Sequence, residues 1–101
     1  MKQYNVKYSE TFYEDLQNIT LHIIEKTGSI DLAREFYIRT IRAIEKRSFS
    51  ADSFEKYIPY DNADTYYRIY FGKYIIFYVL KGNDMDVRRM LWSGIDKPKF
   101  F

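Results

Sequence analysis

Residues 72–84, GKYIIFYVLKGND, decide how this chain folds. Read as a strand, Tyr74, Ile76, Tyr78 and Leu80 share one side, and Ile75, Phe77 and Val79 share the other. A strand of a small antiparallel sheet usually turns one polar face to water. This one is apolar on both. Glycines bracket it. Gly72-Lys73, with glycine first in a two-residue loop, predicts a type II′ hairpin back to TYYRIYF. Gly82-Asn83-Asp84 turns the chain into DVRRMLW, so residues 65–92 read as a three-stranded antiparallel meander.

Upstream, the alternating and Tyr/Val-rich QYNVKY predicts an N-terminal strand near residues 3–8. Ser9 stands where an N-cap belongs, and Glu10 and Glu14 suit the positive end of a helix dipole. Phe12, Leu16, Ile19 and Ile23 recur at helical spacing, and Gly28 closes that helix. A second helix is expected from about Ser29 to Arg47, with Ala33, Phe36, Tyr37, Ile41 and Ile44 inward. Glu35, Arg39, Arg42 and Lys46 fall on its outer side. Two such helices joined by Gly-Ser make an antiparallel hairpin. Residues 48–64 read as a long connection, with a helical turn around SFEKY and with Phe54, Tyr57 and Ile58 tying it down. The expected fold is α+β: an N-terminal strand, a two-helix hairpin, then the meander, in one domain spanning residues 1–101.

Composition narrows the function. A chain of 101 residues supports one core rather than two. Its net charge of +2 is too small to argue for nucleic acid by itself. The absence of cysteine removes thiolate nucleophiles and thiolate metal sites and fits a reducing cytoplasm. MKQYNVKYSE lacks the apolar stretch of a secretory signal, and no run reaches the roughly 18 apolar residues of a membrane span. Aromatic residues make up 20%, eleven of them Tyr, a side chain suited to half-buried sites and interfaces.

The two-sided strand then carries a functional expectation. If the Tyr74–Ile76–Tyr78 side packs on the helices, Ile75, Phe77 and Val79 need another cover. Leaving them wet forgoes roughly 1.5–3 kcal/mol each. The long connection, the SGIDKPKFF tail or another protein are the available covers. A sheet with an apolar floor and a basic rim, with Arg68 and Arg88 as neighbours, suits an amphipathic helix or strand from a partner. The expectation is that this domain works by being bound, through Ile75, Phe77 and Val79.

Catalytic chemistry is largely missing. The single histidine, His22, reads as a structural or surface residue. No Cys/His cluster, metal-loop spacing or phosphate-binding glycine loop is present, so no metal and no cofactor is expected. Metal-free RNA cleavage needs a base, an acid and cations around the phosphate. Arg68, Arg88, Arg89 and Lys73 supply cations, but no base stands out.

The meander YRIYFGKYIIFYVL followed by VRRMLWSGID resembles the RelE/ParE superfamily of bacterial type II toxins. The NVKYS opening, the DL-NI of the first helix and Phe36 with Ala43-Ile44 in the second resemble it too. The resemblance implies a cytoplasmic toxin, neutralised in a hetero-oligomer by an antitoxin that wraps its sheet. RelE-like members cut messenger RNA on the ribosome, and ParE-like members inhibit DNA gyrase. Nuclease members resemble YRLRVGDYRVIY, with an arginine after the second strand's leading tyrosine. Here Tyr74 matches that tyrosine, Ile75 replaces the arginine, Arg68 matches the earlier arginine and Tyr70 replaces the next basic residue. Many relatives end near HGRRD, where this chain has Trp92, Gly94 and Ile95 in place of the histidine and both arginines, and keeps Asp96. An isoleucine cannot stabilise a phosphorane. The resemblance therefore leans toward a ParE-like toxin that binds gyrase, with Arg68, Arg88, Arg89 and Trp92 as target-binding candidates. A ribosome-dependent endonuclease and a non-toxic remnant that still binds antitoxin are the alternatives. No catalytic residue is assigned.

Overall fold

The computed structural model describes residues 2–95 and 101. Its elements are β1 (Asn5–Tyr8), α1 (Glu10–Thr27), α2 (Ile30–Arg47), β2 (Lys56–Tyr57), β3 (Tyr66–Phe71), β4 (Tyr74–Lys81) and β5 (Asp84–Trp92). The meander forms β3, β4 and β5, but it lies inside a larger sheet. Five strands run in the order β1-β5-β4-β3-β2. β1 pairs parallel with β5, and β2 pairs antiparallel with β3. The sheet is therefore mixed, and the expectation of three antiparallel strands covers only its centre.

Both central turns obey their glycines. Phe71 pairs with Tyr74 across Gly72-Lys73, and Lys81 pairs with Asp84 across Gly82-Asn83. Gly72 and Gly82 have φ of 58° and 59°, while Lys73 and Asn83 do not share the positive sign. That is the type II′ sign pattern, which suits the right-handed twist of paired strands.

Both helices are capped by the serines that precede them. Ser9 Oγ accepts from Phe12 N at 3.0 Å, and Ser29 Oγ accepts from Leu32 N at 3.1 Å. Gly28 ends α1 in the left-handed conformation, φ 70°. Ser9 does more than cap. Its hydroxyl donates to Arg88 O at 2.9 Å, and its N–H donates to Val87 O at 3.0 Å. The first turn of α1 is thus tied to β5. Ser9→Ala is expected to cost about 1–2 kcal/mol, since it removes a cap and leaves a strand carbonyl without its partner. Urea unfolding measures this, and an unchanged midpoint would count against the junction described.

The helix pair covers one face of the sheet. Phe12 and Leu16 of α1 and Ile44 of α2 pack on Ile69, Ile76, Tyr78, Met85, Val87 and Met90. Tyr37 departs from its expected inward position and is exposed. Thr40 is buried instead, with its hydroxyl donating to Phe36 O at 2.8 Å. A threonine satisfied within its own helix is easily missed by a hydrophobic count.

The connection after α2 contains β2 where a helical turn was expected around SFEKY. Tyr57 packs inward, Phe54 is exposed but reaches back to Arg47, and Ile58 is exposed. The anchor is polar. Tyr78 Oη donates to Ala51 O at 2.7 Å, and Arg47 donates to Arg68 O at 2.8 Å and to Tyr78 Oη at 3.2 Å. Phe54 stacks on the Arg47 guanidinium, 3.4 Å from ring centroid to Cζ.

Burial also shifts the tyrosines. It pushes the Tyr8 phenol up to about 12 and raises those of Tyr66 and Tyr78. An unfolded phenol titrates near 10. The folded chain thus holds these protons more tightly than the unfolded one. This stabilisation is complete below about pH 10 and is lost as pH rises through about 12. The denaturation midpoint is expected to fall across that window, and Tyr8→Phe should flatten the fall. An equally steep fall in the variant would contradict the burial described for Tyr8.

Candidate functional site

The second face of the sheet is built by alternation. Tyr66, Arg68 and Tyr70 of β3 stand beside Val79, Phe77 and Ile75 of β4, with Arg68 opposite Phe77 and Tyr70 opposite Ile75. Leu91 of β5 lies opposite Ile75. These side chains do not wait for a partner. Tyr57, Ile95 and Phe101 pack against a cluster of Tyr66, Ile75, Phe77, Val79 and Leu91. The Phe101 ring sits 4.5 Å from Tyr66 and 4.9 Å from Phe77, and Tyr57 approaches Phe77 at 5.7 Å. Tyr60 Oη donates to Phe101 O at 2.6 Å. In the chain by itself Ile75, Phe77 and Val79, expected to meet a partner, are already buried, with Tyr57, Ile95 and Phe101 packed against their cluster. Asp96, named above for its place in the resemblance, lies outside the described residues.

The three candidate arginines are engaged within the chain. Arg68 approaches Glu55 at 3.9 Å and lies over the Tyr57 ring at 4.8 Å. Arg88 pairs with Asp64 at 3.5 Å and with Asp86 at 3.8 Å. Its guanidinium also opposes, in part, the upward shift that burial imposes on the Tyr66 phenol. Arg89 makes a two-pronged bond to Asp15 of α1, Nε to Oδ2 at 2.8 Å and Nη2 to Oδ1 at 3.0 Å. A β-bulge separates the two neighbours: Phe77 pairs with Arg89 and Tyr78 with Val87, which leaves Arg88 as the extra residue.

Trp92, the fourth candidate, is open, with 56% of its surface exposed. It borders a cleft of about 820 Å³ at the end of the sheet that carries the β3–β4 turn. α1 contributes His22 and Lys26, α2 contributes Phe36 and Arg39, the strands contribute Phe71 and Tyr74, and the turn between them contributes Lys73. Phe36 meets Phe71 and Tyr74 edge-on at 5.6 and 5.9 Å, which makes an aromatic floor. The Arg39 guanidinium lies 5.9 Å over Phe71. Ser93 N donates to Lys73 O at 2.8 Å and fixes the turn beside Trp92. The indole rests on Gly94 so closely that a Cβ there would come within 2.5–2.8 Å of three of its ring atoms. Among the described residues, no Asp or Glu lines this cleft. Among the described residues, no ion pair engages Lys26, Arg39 or Lys73.

The cleft thus combines cations with aromatic rings, and its lining pairs no nucleophile with a base. No group of three or more His, Asp or Glu among the described residues is placed to hold a metal ion. No described helix is long and apolar enough to cross a membrane. Sequence reading missed Lys26 and the cleft itself, and it treated His22 as structural or surface. It placed Lys73 beside the phosphate of an RNA and Arg39 on an outer helix face. The available signal was the Gly72-Lys73 turn, whose lysine projects at the sheet end, but which helix ends stand there is a tertiary fact. No family model matches the sequence, and no curated protein is similar to it.

Proposed function

We propose that this chain is a toxin of RelE/ParE type, held silent by an antitoxin, that inhibits DNA gyrase by contact rather than by cleaving RNA. The observation that carries the choice between contact and cleavage is Ile75. It occupies the position where the resemblance expects an arginine, and it is buried beneath the second-face cluster. The neighbouring Arg68 and Arg88 face carboxylates. That face therefore has little to offer a phosphorane, which needs preorganised cations or donors aimed at it. The succession of strand, helix pair and meander also supports the reading.

The antitoxin's place follows from what is left open. With Ile75, Phe77 and Val79 covered by the chain itself, the helical hairpin offers exposed Leu21, Ile30, Leu32, Tyr37 and Ile38. Apolar side chains left open on one pair of helices are the kind an amphipathic partner segment can cover. An amphipathic antitoxin segment lies there, and the toxin–antitoxin pair is a hetero-oligomer.

Gyrase supercoiling and ribosome-programmed messenger cleavage, run side by side with purified protein, test the target. Loss of supercoiling without cleavage is expected. Cleavage between codon positions would replace gyrase by the ribosome. Inactivity in both assays, with retained binding to the product of an adjacent reading frame, would identify a non-toxic remnant.

A further inference from the structure

We infer that the cleft bordered by Trp92 binds a nucleoside phosphate, with the planar base against the indole and the phosphates held by Lys26, Arg39 and Lys73. This goes beyond the toxin reading and does not depend on it, because the cleft lies on the helix-covered side of the sheet, away from Ile75.

Charge points to an anion. Three cationic side chains from three separate elements border the cleft, and among the described residues no carboxylate does. At Lys7–Asp84 and Arg34–Asp31 surface cations face acids, whereas the described lining of this cleft offers its cations none. A cleft lined by one sign of charge, with apolar walls, focuses its field and concentrates counter-ions.

Ring chemistry points to a planar group on that anion. Among the described residues Trp92 stacks on no other ring, although it is the largest exposed aromatic of the chain. Gly94 makes room for the indole where it lies, since any side chain there would push it aside. A Trp held in place yet left open is what a stacking platform needs, and nucleobases stack on aromatic faces whatever their identity. About 820 Å³ lies within the range of small-ligand clefts and accommodates one nucleotide with its phosphates. An acidic peptide would satisfy the cations but would leave the platform without a matching planar ring. The same nucleotide chemistry is presented by a free nucleotide and by a unit of a single strand.

Trp92 is the only tryptophan, so its fluorescence reports on this cleft alone. ATP, a short oligouridine and poly-glutamate are the probes, excited where tyrosine does not absorb. Saturable quenching by ATP is expected, weakening with added salt. Removing two phosphate-binding cations in Lys26→Gln/Lys73→Gln should weaken it at least about tenfold. Gly94→Ala, which alters no charge, should also weaken it and shift the emission of the free protein as the indole moves. Circular dichroism checks that both variants remain folded. Oligouridine binding more tightly than ATP would assign the cleft to a strand, and ATP binding equally or better would assign it to free nucleotide; either supports the inference. Absence of saturable quenching by both nucleotide probes would overturn it. So would equal affinity in the double lysine variant, or quenching by poly-glutamate as strong as that by ATP.

Discussion

Phe77→Ala is expected to destabilise the fold by about 3–5 kcal/mol, the usual cost of truncating a fully buried phenylalanine. Phe77 has no exposed surface and sits between Tyr57, Tyr66 and Phe101. Shortening it to a methyl removes the common neighbour of three rings. The cavity would not readily collapse, because Tyr57 and Tyr66 are held by β2 and β3 and Phe101 is tethered by Tyr60. Phe77→Asp should be worse, since it buries a charge with no partner. Denaturant unfolding at neutral pH measures both. Phe101→Ala provides an internal control, with an expected loss of about 1–3 kcal/mol, because it uncovers the cluster without hollowing it. A Phe77→Ala variant as stable as the parent would mean that the second face is not closed by the chain itself. Partner cover of Ile75, Phe77 and Val79 would then return as the better account.

Asp15→Ala should rank beside it, at about 3–5 kcal/mol, the range for removing one partner of a buried ion pair. The carboxylate accepts from both Arg89 nitrogens and also from Met90 N, at 2.9 Å. Its side chain is 13% exposed and that of Arg89 21%, so water can only partly replace what is lost. The bond to Met90 N has a structural reason. β1 pairs with β5 only as far as Tyr8 opposite Val87, and beyond that point Asp15 takes the place of a strand neighbour. Alanine would strand a cation and an edge N–H together. Asp15→Asn keeps an acceptor and should fall between Ala and the parent. A double-mutant cycle with Arg89→Ala isolates the pair, and a coupling near zero would show that it contributes little beyond packing.

Arg89 illustrates what the sequence, read alone, could not place. In VRRMLW two adjacent arginines resemble a binding surface, and strand alternation sends them to opposite sides. The bulge breaks that alternation, and each arginine ends on a carboxylate of its own: Asp15 lies 74 positions from Arg89, and Asp64 lies on the loop before β3. No local pattern announces a pair at that separation. The second face failed in the same manner. Two-sided apolarity in β4 was legible, and so was the need for cover. Yet the cover comes from Tyr57 on a two-residue strand and from Phe101 at the other end of the chain. A two-residue strand has no period to detect, and a terminal phenylalanine says nothing about where it docks.

What the sequence by itself determined is local. Serine caps, glycine turns of positive φ, the apolar stripes of α1 and α2 and the alternation of β3, β4 and β5 are encoded within a few residues of where they act. Only the tertiary structure decided that β1 runs parallel beside β5, that the candidate arginines are spent on internal carboxylates, and that Lys26, Arg39, Lys73 and Trp92 share one cleft. The physical reason is range. Backbone preference and hydrophobic period act over one turn or one strand, whereas ion pairing, ring contact and the shape of a cleft depend on which distant segments packing brings together.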